Sequence, residues 1–372
     1  MRILTLFLLC LSCSHLSNFS NKRELANFDK EKCFALVRKF HLPNLPNDPA
    51  ALELRAIIYR LYPDLPPDFL DLKLSVIDSD YKLFRSFVSL YYQLLQEILL
   101  ELDISLKLLA IRGRGLGDHH LGNFGFLLTK KNELIFSAND PDNGSVISLY
   151  AEFLHYLTSL YLHNKNISNA NIAKVIKAYK KGLAGENIPL AGVLKKVQKK
   201  AKKTELGATG NDLISGTKLK RQHDDYRISV DINAGEKERV ETFIKSHFGA
   251  GTKVLDSFKF LNVIGGSGGY QRYRFLIELE KQSISKNLST LQVIEFKEIQ
   301  PHIIHPMAAD SKVDMHANLA LMTAVSKDQL SRFYGVLDGL SGVAFTSPFP
   351  KHPFRQNRVN IFQFIGVLAR GF

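Results

Sequence analysis

Between Leu116 and Phe126 the chain reads Gly117-Asp118-His119-His120-Leu121-Gly122-Asn123-Phe124-Gly125. Two imidazoles, a carboxylate and an amide are held between glycines directly ahead of the apolar run Phe124-Gly125-Phe126-Leu127-Leu128. Such a stretch must fold as a tight polar turn that feeds a strand, because glycine supplies the backbone freedom and Asp and Asn favour turns. A second acidic segment, Phe136-Ser137-Ala138-Asn139-Asp140-Pro141-Asp142, follows within one hairpin. Hard cations such as magnesium take oxygen ligands from carboxylates and amides and leave room for phosphate oxygens. Asn123, Asp140 and Asp142 are therefore candidate metal ligands. Asn139 to Gly144 would equally serve as an ordinary hairpin turn. A zinc site on His119 and His120 is disfavoured, since adjacent side chains diverge and no Cys or third His stands nearby at ligand spacing.

A second glycine-rich block lies much later. Gly265-Gly266-Ser267-Gly268-Gly269 separates the apolar run Phe258 to Ile264 from a strand-like run, Tyr273 to Leu279. Without side chains in the way, its amides can approach an anion closely; a bare hairpin tip is the alternative. Lys297 closes a further strand-like run, Leu291 to Lys297, and is followed by Glu298. A lysine on that strand could reach phosphates held under the glycine turn.

The spacing of Asp118 and Asn123 resembles the catalytic loop of kinase-like phosphotransferases. The wider pattern resembles the bacterial domain of unknown function 2252 family (DUF2252). That family's Gly-Asp-Ala-His-Leu-x-Asn-Phe-Gly parallels Gly117 to Gly125, and its Asn-Asp-Phe-Asp-Glu parallels Asn139 to Asn143. Its Gly-Val-Gly-Ser-Val-Gly is similar to Val263 to Tyr273, and its Val-Lys-Glu-Ala to Glu295-Phe296-Lys297-Glu298. Fainter echoes at Leu83-Phe84-Arg85 and Phe354-Arg355-Gln356 extend the resemblance over about residues 80 to 358.

The resemblance implies a protein-kinase-like or aminoglycoside-phosphotransferase-like fold. Asp118 would be the general base, His120 would shape the loop, and Asn123 with Asp140 or Asp142 would bind Mg2+. Gly265, Gly266, Ser267, Gly268, Gly269, Lys297 and Glu298 would hold ATP. The implied partners are a nucleotide and a small-molecule acceptor of unknown identity. Departures are concentrated in the same motifs: Pro141 replaces an aromatic, Asn143 an acid, Ile264 a glycine and Gln271 an arginine. They keep a second expectation open, a catalytically silent, exported or membrane-anchored binding protein on the same fold.

The expected class is α+β with two lobes. Asp118 and Asn123 precede the glycine block, the reverse of ordinary kinases, so a kinase-like fold here would be circularly permuted. The expected organisation is a signal or lipoprotein signal over 1–20, a helical extension over 21–79, a helical lobe over 80–206 and a strand-rich lobe over 217–372 that ends in helices. With 372 residues and 45% hydrophobic content, the chain can build two such cores. Apolar spacing predicts helices over 80–102, 148–163 and 171–203 and strands near 108–111, 124–128 and 134–136. From 228 to 299 the pattern is strand-rich, and helices are expected near 314–324 and 327–337. Residues 20–79 carry helix signals and a Pro-rich turn at Pro63 to Asp68, without identifiable chemistry.

The net charge of +13 suits anionic partners, but no aromatic interleaving accompanies the lysines of Lys195 to Lys203, and nucleic acid is not an expected partner. The apolar run Ile3 to Leu11 is too short to span a bilayer and fits a signal-peptide core. Cys13 would then carry a lipid anchor, placing the protein in the periplasm or on a membrane; without a working signal it would be cytoplasmic.

Overall fold

Four helices open in the same way. Ser79, Ser148, Ser168 and Asn233 each turn a side-chain oxygen to the amide three residues on, at 3.3, 3.3, 3.3 and 2.9 Å. A short polar side chain satisfies an otherwise orphaned helix donor in this way. The computed structural model describes residues 49–101, 109–128, 134–138, 143–164, 166–184, 213–221, 227–230, 232–266, 268–280, 290–298, 334–337 and 342–345, with positions 186, 195, 196 and 199. The expectations for residues 1–20 and Cys13, for Asp140, Asp142 and Ser267, for the 314–324 helix and for the Arg355 motif fall outside these residues.

The first half is mainly helical: α1 (Pro49–Leu61), α2 (Pro67–Ser75), α3 (Asp80–Ser86), α4 (Val88–Glu101), α5 (Leu149–His163) and α6 (Asn169–Leu183). The helix expected over 80–102 is two helices. Phe87 breaks it with φ −132° and ψ 72° while its ring packs edge-on against Tyr62 at 5.5 Å. The break divides two cores. Leu83, Phe87, Leu90 and Leu94 face Ile58 and Leu61 of α1 and Leu70 of α2. Phe84, Tyr91, Tyr92 and Leu95 face Phe153 and Leu157 of α5 and Ile172 and Val175 of α6. Tyr270, from the second half, inserts into the α1–α2 core. Residues 49–79 of the expected N-terminal extension therefore share a core with residues of both halves.

Short strands cross between α4 and α5. β1 (Arg112–Gly115) pairs with β4 (Ser145–Ser148), and β2 (Phe124–Leu128) pairs with β3 (Leu134–Ala138), both antiparallel. The first strand was expected at 108–111. It forms instead on a Gly- and Arg-rich stretch with no alternation, because pairing with β4 rather than local propensity sets it. Ser148 is the cap of α5, so that helix starts one residue later than its expected edge.

The second half opens with a hairpin of β5 (Ile214–Ser215) and β6 (Lys218–Leu219), then β7 (Arg227–Val230) and α7 (Ala234–Phe248). It continues through β8 (Lys253–Asn262), β9 (Gln271–Glu278), β10 (Leu291–Glu298), β11 (Tyr334–Leu337) and β12 (Gly342–Phe345). One antiparallel sheet has the order β11-β12-β10-β9-β8-β7. The span 228–299 is strand-rich, as expected, and among its described residues helix α7 is the one element that the apolar pattern did not indicate. Asn233 and Glu236 form a reciprocal capping box, and Val240, Ile244 and Phe248 repeat every fourth residue onto Tyr273, Phe275, Ile294 and Phe296 of the sheet. The helix expected over 327–337 is corrected, since 334–337 is an edge strand. Four-residue apolar runs are ambiguous between helix and strand, and here β12 supplies the pairing partner. The chain is thus α+β. Among the described residues no helix is long and apolar enough to cross a membrane.

Candidate functional site

The Gly117 loop is built from inside the protein outward. Glu152 of α5, fully buried, accepts the amides of Leu116 and Gly117 through Oε1, the latter at 3.2 Å. Tyr92 Oη donates to Gly117 O at 2.7 Å. Both peptide faces of Gly117 are therefore fixed, and Asp118 leaves in a set direction. A one-turn 3-10 helix, Leu121–Asn123, follows, with the His120 ring as its cap: Gly122 N donates to His120 Nδ1 at 2.9 Å. Asn123 Nδ2 donates to Asp118 O at 2.7 Å, closing the loop on itself. That bond uses the amide nitrogen, so the atom left for a cation is the oxygen that magnesium favours.

Asp118 lies at the centre, 5% exposed. His120 Nε2 is 3.3 Å from Oδ2, and His155 Nε2 is 4.0 Å from Oδ1. Two neighbours compete for His120 Nε2: Arg85 Nε, placed to donate at 3.1 Å, and Asp118, placed to accept. Because the Gly122 amide uses the Nδ1 lone pair, the ring proton sits on Nε2 and faces Asp118; Arg85 then acts on the carboxylate through its charge. Burial alone would raise Asp118, but His120, donating from Nε2, and the charge of Arg85 outweigh it and hold the carboxyl below its ordinary value. The site therefore keeps an ionised carboxylate out of water.

His155 shows the opposite balance. It is boxed by Phe84, Tyr91 and Tyr92 at 4.3, 4.6 and 5.3 Å, and burial lowers its pKa to about 4. Its Nδ1 meets His119 O at 3.0 Å, and a carbonyl can only accept, so the proton is there and the bare Nε2 faces Asp118. His119 points away from His120, toward Phe124, Tyr156 and Glu152, and burial lowers it to about 3.

Burial raises Glu152 to about 7, against which its two backbone bonds work. A carboxyl with a raised folded pKa stabilises the fold fully below its unfolded value of 4.5 and loses that contribution as pH rises through 7. Because both bonds end on one oxygen, Glu152→Gln keeps them. The stability gap between Glu152→Gln and the parent should shift toward the variant by about 3 kcal/mol between pH 4.5 and 7.5, read by denaturant titration at each pH. A pH-independent gap would refute the assignment.

The glycine turn of the second half closes over this loop. A Cβ placed on Gly266 would stand 3.5 Å from Asp118 Oδ2, 3.4 Å from Asn143 Nδ2 and 3.5 Å from Arg85 O. Gly265 N donates to Ser86 Oγ at 3.2 Å, Gly268 N to Gly265 O at 2.9 Å, and Gly269 N to Asn262 O at 2.9 Å. Those amides are engaged within the protein. Lys73 of α2, wholly buried, donates to Gly268 O at 3.2 Å.

Lys297 is buried on β10 opposite Arg272, at the glycine-turn end of the sheet and two strands from β8. Arg272 and Arg274 each reach Glu295 at 2.6 Å, and these two cations hold that carboxyl at about 2 against the opposing effect of burial. Glu298 ends β10. The structure thus brings Asp118, His120, Asn123 and Gly266 together, with Gly265, Gly268 and Gly269 in the same turn as Gly266; Lys297 lies on β10 opposite Arg272, the second residue of β9. Sequence reading passed over Lys73, Ser86 and the approach of His155 to Asp118. Lys73 had a signal, since it stands in the apolar stripe Leu70, Lys73, Ile77.

Residues 67–184 match the family described as "Uncharacterized protein conserved in bacteria (DUF2252)". The match supports the DUF2252 resemblance. It runs from the first residue of α2 to the end of α6 and includes Lys73, Arg85, Asp118, His120, Asn123, Glu152 and His155. The glycine turn and Lys297 fall beyond the DUF2252 match. No curated protein and no solved structure matches the chain.

Proposed function

We propose that the chain is a kinase-like phosphotransferase that uses a magnesium nucleotide, on a permuted two-lobed kinase-like fold. The observation that carries this reading is the ionised, buried Asp118 beneath a glycine turn from the other half, with Asn123 tied to its carbonyl. Asp118 takes the proton of an acceptor hydroxyl as that oxygen attacks the terminal phosphorus, and the bond to the bridging phosphate oxygen breaks. His120 keeps the carboxylate oriented. Asn123 Oδ1 with Asp140 or Asp142 would hold magnesium, whose chemistry when bound is to neutralise phosphate charge. Lys297 would steady the phosphates from the end of β10.

One observation favours a second reading, a silent binding protein: the glycine amides are satisfied within the chain, and Gly266 covers Asp118. Phosphotransfer requires the turn to lift. Calorimetry of ATP binding with and without magnesium separates the two. Magnesium-dependent binding that falls at least about tenfold in Asp140→Ala is expected; the absence of nucleotide binding would leave the silent reading.

A further inference from the structure

Lys73 is an expensive residue for its surroundings. Its ammonium is wholly buried, 4.8 Å from the centre of the Phe87 ring and 5.8 Å from that of Tyr62. Among the described residues its one hydrogen bond is to Gly268 O, so one of its three donors is used and no carboxylate balances its charge. Burial lowers its pKa to about 7. A methionine would fill the same apolar space without that cost. A buried cation with a single neutral acceptor is suited to a partner that arrives from outside.

Its place in the fold indicates which partner. Among the described residues two hydrogen bonds tie the glycine turn to the first half, Lys73 to Gly268 O and Ser86 to Gly265 N, beside Tyr270, whose ring anchors the end of the turn in the α1–α2 core. Gly266, between them, lies over Asp118. Lifting the turn frees the ammonium and uncovers the carboxylate together. We propose that Lys73 is a phosphate-binding residue of this site, exchanging Gly268 O for an oxygen of the nucleotide's phosphate chain as the turn opens. This rests on the phosphotransfer reading for its ligand, and it adds a cation supplied from α2 rather than from the sheet.

The test compares the parent protein, Lys73→Met and Lys73→Arg, titrated calorimetrically with ATP, tripolyphosphate and adenosine, with magnesium present. Lys73→Met should weaken ATP and tripolyphosphate about tenfold or more, since a charge-assisted bond is lost, and leave adenosine unchanged. Lys73→Arg should keep most of the affinity. In the parent, tripolyphosphate affinity should fall as pH rises through 7 and the ammonium loses its proton; in Lys73→Arg it should not. Lys73→Met should also melt no lower than the parent, which separates a lost ligand contact from a lost fold. Equal ATP binding in parent and Lys73→Met overturns the Lys73 role and leaves phosphotransfer standing. Tripolyphosphate binding through Lys73 without phosphoryl transfer to any acceptor keeps the anion site and removes the enzyme reading. A parent that binds neither ATP nor tripolyphosphate overturns both.

Discussion

Asp118→Asn should lower the rate of phosphoryl transfer by about 10²–10⁴-fold, the range for removing a general base, and leave nucleotide affinity near that of the parent. The amide keeps the side chain's shape but cannot take the acceptor's proton. Asp118 also contributes to the fold, because its folded pKa lies below the ordinary value. A carboxyl shifted in that direction stabilises the fold above its unfolded value of 3.8 and loses that contribution as pH falls. At neutral pH the variant therefore gives up that contribution, at a cost of about 1–3 kcal/mol. Turnover and denaturant midpoint should be measured on one preparation, by phosphate release and circular dichroism. Unchanged turnover would remove Asp118 from the chemistry, and a turnover loss matched by unfolding would make its role structural.

The Gly117 to Asn123 loop was legible because its geometry is local. Gly117, Asp118, His120 and Asn123 lie within seven positions, and the bonds that shape the loop, Gly122 to His120 and Asn123 to Asp118, span two and five residues. Residue type and spacing are enough to suggest such contacts. Lys73 to Gly268 spans 195 residues, and Ser86 to Gly265 spans 179. No local pattern encodes that pairing, so the clasp between the halves emerges only when both cores fold. Tyr270 belongs to the same class: its sequence context is a turn, and its ring completes the α1–α2 core.

The misread elements follow the same division. Helix α7 had local signals in Asn233, Glu236 and the fourfold repeat of Val240, Ile244 and Phe248, but its mainly charged surface hid a narrow apolar stripe. β1 and β11 had none, because each is specified by the strand it pairs with. The break at Phe87 lies between these cases. The apolar spacing continues through it, and the helix divides because the flanking residues must serve two cores.

Gly117→Ala should be the most damaging small substitution in the site. Gly117 has φ 73°, and a Cβ there would lie 2.1 Å from Asn143 O and 2.8 Å from Asn143 C. Backbone atoms cannot swing aside as a flexible side chain can. β4 begins two residues after Asn143, with Ser145 paired to Gly115, so the carbonyl is held by a strand pair. Gly117 cannot retreat either, since Glu152 binds its amide and Tyr92 its carbonyl. The left-handed backbone costs an alanine about 1–2 kcal/mol, and the clash should bring the total to about 3–5 kcal/mol. Gly216→Ala is the internal control. Gly216 has φ 59° in the β5–β6 hairpin with nothing within 4 Å of its added Cβ, so that variant bears the backbone cost alone. Denaturant unfolding should place Gly117→Ala at least about 2 kcal/mol below Gly216→Ala. Equal losses would mean that Asn143 can move, and that the loop holding Asp118 is less rigidly set than its hydrogen bonds imply.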